Sequence, residues 1–461
     1  MEKVNILFLT IDCLRYDRIH ANGYVHSTTP NIDRFIIEDA TNFTQTIAAG
    51  PGTMAAFPAL FTSSYPIMYG GTKFLSKERT TLSEVLSQHG YTTIGLSSNP
   101  YITPEFGYDR GFTEFWDSVE RTRKRDRKIN LLSKFISRDS KTWNLLRKIA
   151  RRREVQQQKA LYPSAEQMRH KLNDSLVNGQ ESTFIWCHFM DLHYPYNLPA
   201  IKPVLNNEYG VNNSTLSDIL ARLMKESNTF TKEERDIVNK IYDTSLHYID
   251  DQLGILFDQL KRSGNWDNSL IILTADHGEE LIEQGRFGHG DEGVESSFSE
   301  ELLRIPLMIK FPGAKHSGLS FDTLISQLDI PATIIDFLGI DLPSNWYGKS
   351  VLPVISGASP IIHNAAITQR GIERSFSLSW RTETWKYIFN AFTQEKKLFD
   401  IHPGKGDNKN LITEFPDVAT DLYNQITDHL NYYQDAYTKE RLEGIKIDDE
   451  LKNRLEALGY M

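Results

Sequence analysis

Cysteine is nearly absent from this sequence: 461 residues contain two, Cys13 and Cys187. Each lies beside an apolar run, so the pair reads as buried thiols rather than as a disulfide. Long apolar stretches are also missing. No window approaches 18 consecutive apolar residues, which excludes a membrane-spanning helix by composition. The opening "MEKVNILFLTIDC" has no basic n-region and no small-residue cleavage site. It reads as a strand rather than a signal peptide, and the expected location is the cytoplasm, with peripheral contact to a membrane as a variant. Internal repeats and sustained low-complexity segments are lacking too. With 40% hydrophobic and 24% charged residues, the chain reads as an ordinary globular protein of more than one domain's length.

The net charge of −9 conceals an asymmetry. Residues 121–153 carry fourteen Lys/Arg against two acids, which leaves 37 against 58 elsewhere. In "INLLSKFISRDSKTWNLLRKIARRR", Leu131, Leu132, Phe135 and Ile136, then Trp143, Leu145, Leu146 and Ile149, stand near helical spacing. A basic helical insertion at about 118–170 is expected, either packed on the body as a solvated hairpin or docked on an anionic membrane surface or lipid-linked substrate. No nucleic-acid module is recognisable, so nucleic acid ranks last among the partners.

Several short apolar runs bounded by turn residues read as buried parallel strands: 4–11, 92–98, 182–189, 269–276 and 302–311. Helical patterns separate them, including 80–90, closed by Gly90, and 233–264, closed by Lys261, Arg262 and Gly264. The alternation predicts an α/β/α sandwich around a large, mostly parallel sheet, spanning 1–350. From about 351 to 461, "SFSLSWRTETWKYIFNAF" and "KKLFDI" read as antiparallel strands and 416–461 as charged helix, giving a smaller C-terminal α+β subdomain.

In parallel sheets the chemistry gathers at the carboxyl ends of the strands. There stand Asp12, then Asp276 and His277 with Gly278 to turn the chain. Two carboxylates and an imidazole suit a divalent cation with oxygen and nitrogen donors. "FIWCHFMDLHYPYN" adds His188, Asp191 and His193; His188 reads as a buried hydrogen-bonding residue and His193 as the one facing a site. His289 lies on the glycine-flanked loop "GRFGHGDEG", and His247 with Asp250 on the long helix read as structural.

The order of these motifs resembles the sulfatase branch of the alkaline phosphatase superfamily. The resemblance runs through "NILFLTIDCLRYD", "TTPNIDRFIIEDATNFTQT", "YDTSLHYIDDQLGILFDQL", "TADHGEEL", "ELLRIPLMIKFPG", "SQLDIPATIIDFLGI" with "GKSVLPVISG", and the final "LEALGY". It implies a divalent metal cation at Asp12, Thr53, Asp276 and His277, with Thr53 as the nucleophile. His193 falls on the family's substrate-facing histidine in H-x-P-Y, and His289 falls roughly where sulfatases place an active-site lysine. Asn99 in "SSNPY" and Arg15 in the opening block are assigned to substrate binding; Asn99 also suits an Asx-type turn before proline. One cation is favoured, with Asp191, His193 and His289 as the alternative second set. Zinc, manganese, magnesium and calcium stay open, the histidine leaning toward zinc or manganese.

The departures decide the substrate class. Type I sulfatases carry Cys or Ser followed by x-P-S-R, oxidised to formylglycine; here the register reads Thr53-Met54-Ala55-Ala56-Phe57. Threonine cannot be oxidised to that aldehyde, because its β-carbon already carries a methyl group. Cys13 replaces a second metal aspartate, and Phe57 the arginine. The expected activity is hydrolysis or transfer at phosphate esters, monoester or diester, through a threonine nucleophile. The alternatives are a sulfatase working without formylglycine and a non-catalytic binding protein on a decayed enzyme fold.

Overall fold

The apolar runs become the middle of one eight-stranded sheet. The structure is a computed structural model and describes residues 4–118, 162–178, 182–226, 229–283, 285–289, 298–372, 375–402 and 409–437. The strands are β1 (Asn5–Ile11), β2 (Thr41–Ile47), β3 (Thr92–Ser97), β4 (Glu114–Asp117) and β5 (Thr183–Phe189). They continue with β6 (Ser269–Ala275), the two-residue β7 (Glu280–Leu281) and β8 (Phe287–Gly288), β9 (Arg304–Lys310) and β10 (Ser320–Ser326). The sheet order is β10-β2-β9-β6-β1-β5-β3-β4, with β7 and β8 forming a separate ribbon. β1 lies between parallel β5 and β6. After β1 the chain moves to one side for β2 and to the other for β3, so the order reverses beside β1, where such folds open a crevice.

Burial explains why these segments are strands. Leu7, Leu9 and Ile11 point into one core with Leu246, Ile249 and Leu253, while Ile6 and Phe8 point into the other with Phe57, Leu60 and Phe61. A strand buried on both faces has no polar alternation to show. The long helix is Lys232–Ser263, opened by a Thr231/Glu234 capping box and closed by Gly264 at φ 75°. The helix Leu82–Gln88 opens with a Thr81/Glu84 capping box, and Gly90 follows it at φ 79°. Asp250 accepts bonds from the amides of Asn31 (2.9 Å) and Ile32 (2.7 Å) at the start of helix Pro30–Arg34, a structural task.

β9 departs from expectation. Its apolar composition predicts one more parallel strand, and it runs antiparallel to both β6 and β2. Among the described residues, the connection from β6 holds the β7–β8 ribbon and the four-residue helix Glu300–Leu303. A parallel return requires a crossover, usually helical. β9 enters the sheet from the carboxyl edge of β6, and Glu279 and His289 lie in the connection between the two strands.

The antiparallel C-terminal sheet is present as β11 (Ala366–Ile372), β12 (Ser375–Arg381), β13 (Trp385–Asn390) and β14 (Lys396–Asp400), in that order. Leu422 and Ile426 of helix Pro416–Tyr432 complete its core. The Gln369 amide donates to Ala49 O at 2.7 Å, and the Thr368 hydroxyl to Ala48 O at 2.6 Å, tying β11 to the loop before Thr53. Both cysteines are free and buried. Among the described residues no helix is long and apolar enough to cross a membrane. The basic block 121–153, its surface contact and the final "LEALGY" lie outside the described residues.

Candidate active site

Register brings the two acids together. Ile11 of β1 pairs with Ala275 of β6, so the next residues, Asp12 and Asp276, emerge side by side. Thr53 arrives from another direction, as the first residue of helix Thr53–Thr62, after extended Gly52. Gly50 permits that approach, since a Cβ there would lie 2.3 Å from Ala55 Cβ. Gly278 lets the chain fold back over helix Glu300–Leu303, where a Cβ would meet Glu301 O at 1.8 Å. Gln327 fastens the two parts: Oε1 accepts from Ala49 N at 3.0 Å, and Nε2 donates to Asp276 O at 2.7 Å.

The Thr53 hydroxyl donates to Asp276 Oδ2 at 3.2 Å and lies 3.3 Å from His277 Nε2. His277 Nε2 is in turn 3.5 Å from Asp276 Oδ2 and 3.8 Å from Asp12 Oδ1. All four residues are fully buried. Burial works against the charge on Asp12, but the bond from His188 and the charges of His193 and His277 hold its carboxyl well below the ordinary range. Asp276 is pushed well above it, first by burial and then by the Asp12 carboxylate. A cation between two buried carboxylates would offset their mutual repulsion and let both ionise. Oxygen and nitrogen donors 3.2–3.8 Å apart have the mutual spacing of ligands around one divalent ion. The donor set therefore fits the metal that the sequence implied.

His188 is more than a core histidine. Its Nε2 lies 3.2 Å from Asp12 Oδ2 and its Nδ1 2.8 Å from Thr10 Oγ1, which also accepts from Trp186 Nε1 at 3.0 Å. Asp12, His188 and Asp276 together form a group able to hold a metal. Thr10 and His188 are register partners across β1 and β5, a relation the linear sequence does not carry. The Phe57 ring, where the family's arginine would stand, packs edge-on to His188 at 5.0 Å and to Trp186 at 5.7 Å.

Beside this cluster stands a second one. The His289 ring centroid is 4.2 Å from that of His277 and 5.2 Å from that of His193. His289 Nδ1 is 3.0 Å from Glu279 Oε1, and Cys13 Sγ is 3.4 Å from Glu279 Oε2. Burial, then the charge of Glu279, keeps the Cys13 thiol well above its ordinary value. Glu279 follows "ADHG" directly, where the linear sequence gives no sign of what it faces. Burial also depresses His193, whose Nδ1 bonds to Tyr194 O.

Asn99 combines both readings given to it: Oδ1 accepts from Tyr101 N at 2.8 Å, an Asx turn, while Nδ2 donates to Asp12 Oδ2 at 3.1 Å. Arg15 is turned elsewhere. Its guanidinium bonds to both oxygens of Asp17, to Glu279 O and to Glu283, and none of these belongs to the Asp12/Asp276 group. Asp191 accepts from Asn197 Nδ2 at 2.9 Å and joins neither metal-capable group.

Comparison with known proteins agrees with this fold. The Sulfatase family model matches residues 4–340, and a model named N-sulphoglucosamine sulphohydrolase, C-terminal, matches residues 295–438. The chain belongs to the Sulfatase family. Arylsulfatase K of Danio rerio is 29% identical over 206 residues, 42% of this chain and 38% of that protein. The multifunctional alkaline phosphatase superfamily protein PehA of Trinickia caryophylli is 36% identical over 113 residues, 24% of this chain and 21% of that one. The matched stretches thus span well under half of these curated relatives. The phosphonate monoester hydrolase of Agrobacterium radiobacter shares the fold, with a TM-score of 0.68 at 18% identity, over 92% of this chain and 95% of that chain.

Proposed function

We propose that this sulfatase-family protein is a metal-dependent phosphoester hydrolase or phosphotransferase with Thr53 as nucleophile. The observation that carries the reading is the Thr53 hydroxyl, fully buried and within 3.3 Å of both Asp276 Oδ2 and His277 Nε2, at the start of a helix. Asp12, Asp276, His277 and Thr53 would hold the cation. Bound there, a divalent ion lowers the pKa of a coordinated hydroxyl and draws charge from an ester oxygen. Thr53 Oγ1 attacks phosphorus in line, and the bond to the departing oxygen breaks, that oxygen leaving with the electron pair and taking up the proton that Thr53 gives up. Water, or a second alcohol, then attacks the phosphothreonine. It gives up its proton to His193, whose charged form burial disfavours, and His193 passes that proton to Thr53 Oγ1 as the bond from Oγ1 to phosphorus breaks. The helix amides beyond Gly52 and the Asn99 amide offer donors to the anionic ester.

Buried Phe57 supports the choice of phosphorus, because the formylglycine machinery of the resembled sulfatases relies on an arginine at that register. The relatives pull both ways: arylsulfatase K is named for sulfate esters, the Agrobacterium neighbour for phosphonate monoesters. Sulfate ester hydrolysis through unmodified Thr53 is therefore the second reading. Parallel assay of aryl sulfate, phosphate monoester and phosphodiester, with added divalent metals, separates the two. Phosphate or phosphodiester turnover should exceed sulfate turnover at least tenfold and vanish in Thr53→Ala, which still binds metal. A preference for sulfate, or full activity in the variant, overturns the proposal.

A further inference from the structure

We propose that Tyr162 is a positioning residue: its hydroxyl holds the main chain of His193, and with it the His193 ring, in place for the step that restores Thr53. The inference rests on the reading of Thr53 as nucleophile and His193 as proton carrier. Tyr162 stands 31 residues before His193, at the head of the segment that leads into helix Ala165–Asn178.

The bond that carries the inference runs from the Tyr162 phenol to His193 O, at 2.8 Å. Tyr162 is 2% exposed and belongs to the core that also holds Phe57, Trp186 and Met190. Burial, then the Asp191 carboxylate, holds the phenol's pKa well above its ordinary value, so the hydroxyl keeps its proton and donates it. His193 O also accepts from Tyr196 N at 2.8 Å, and His193 N donates to Met190 O at 2.9 Å. His193 is therefore the joint between two tight turns, 190–193 and 193–196, beyond the end of β5. The same short segment grips the first turn again. Asp191 Oδ1 accepts from Asn197 Nδ2 at 2.9 Å, and the Ala165 backbone also hydrogen-bonds the Asp191 carboxyl at the start of the helix.

The ring follows this main chain. A carbonyl oxygen only accepts, so the bond between His193 Nδ1 and Tyr194 O places the proton of the neutral ring on Nδ1. Nε2 then carries the lone pair, the form a base needs. The ring centroid lies 5.2 Å from that of His289, which packs at 4.2 Å on His277. With the ring tied to the next carbonyl, any shift of the turn carries Nε2 along, and proton transfer is sensitive to such shifts. Phenylalanine at 162 would keep the ring in the core and remove only the hydroxyl. His193 O would retain its bond from Tyr196 N, so the fold is expected to survive.

The test is rapid quenching of the full chain with an aryl phosphate ester and added divalent metal. Release of the aryl alcohol reports formation of phosphothreonine, and its disappearance after substrate is exhausted reports the second step. In Tyr162→Phe, formation should stay within about twofold, while decay slows roughly tenfold and phosphorylated Thr53 accumulates. In a His193→Ala background, Tyr162→Phe should slow decay no further, because nothing remains to be positioned. Tyr91→Phe is the control for loss of a buried phenol: it lies ahead of β3, 7% exposed and bonded to the Val4 backbone, and should leave both steps unchanged. Unchanged decay in Tyr162→Phe, equal slowing of both steps, or further slowing in the His193→Ala background overturns the positioning role alone. An unaltered protein that turns over without phosphothreonine overturns the nucleophile reading and this proposal with it.

Discussion

Thr53 shows how much one residue's chemistry depends on its neighbours. On its own it is a threonine opening a helix, and the fold makes it a buried hydroxyl on Asp276 and His277. Asp12, Asp276 and His277 were legible because each follows an apolar run, where a parallel sheet exposes its chemistry. His188 was not legible, since a histidine inside a buried strand gives no sign of what its register partner aims it at. As the group bonded to Asp12, it should support metal binding. His188→Ala is expected to lower affinity for the cation 10–100-fold in a metal titration, and unchanged affinity would remove it from the site. Asp191 carries a different expectation. Burial raises its pKa to about 7, against an ordinary value of 3.8. A raised carboxyl contributes full stability below its unfolded pKa and loses it as pH climbs through the folded value. Asp191→Asn, which keeps an oxygen for Asn197, should therefore match the wild type in denaturation at pH 4 and exceed it progressively up to pH 7. A stability difference that does not vary with pH would contradict the assignment.

Elements decide whether those residues meet. The sequence displayed the strands at 4–11, 182–189 and 269–276 through continuous apolar composition, and the long helix through its period and closing glycine. It did not display the direction of β9, because an apolar run does not say from which edge it enters the sheet. Neither β2 nor β10 stood out, as "TNFTQTI" and "SFDTLIS" mix polar and apolar residues. Gln327 was hidden for a related reason: its value lies in the two segments it joins, the Thr53 loop and the end of β6. Gln327→Ala leaves Ala49 N and Asp276 O buried without that partner, at about 1–3 kcal/mol each. Lower stability and a fall in kcat larger than any change in KM are expected; a variant with wild-type kcat would show that the staple does not position the nucleophile. Gly278→Ala places its Cβ against the Glu301 backbone, which has no flexible end to yield. Destabilisation above about 2 kcal/mol is expected in chemical denaturation.

At the scale of the whole molecule, the C-terminal sheet is part of what holds the edge that carries the candidate site. β11 bonds to the backbone just before Thr53, and Arg381 of β12 with Lys386 of β13 grip Glu300, at the start of the helix under Gly278. Burial opposes charge on Glu300, but Lys386 and Arg381 outweigh it and bring its pKa to about 2. A depressed carboxyl stabilises above its ordinary value of 4.5 and loses that contribution as pH falls toward 2. Glu300→Gln should abolish this part of the acid sensitivity and cost stability at neutral pH; equal stability of variant and wild type at pH 7 would contradict the fastening. The change of texture near 350 pointed to the antiparallel C-terminal sheet, whereas its docking on the Thr53 loop required the fold. What ties these scales together is the claim that Thr53 attacks phosphorus, and rapid quenching followed by peptide mass spectrometry tests it most directly. During turnover of a phosphate ester with divalent metal present, the Thr53 peptide should gain one phosphate that is absent without substrate. Turnover with no phosphorylated Thr53, or phosphate carried on a different residue, would contradict the account.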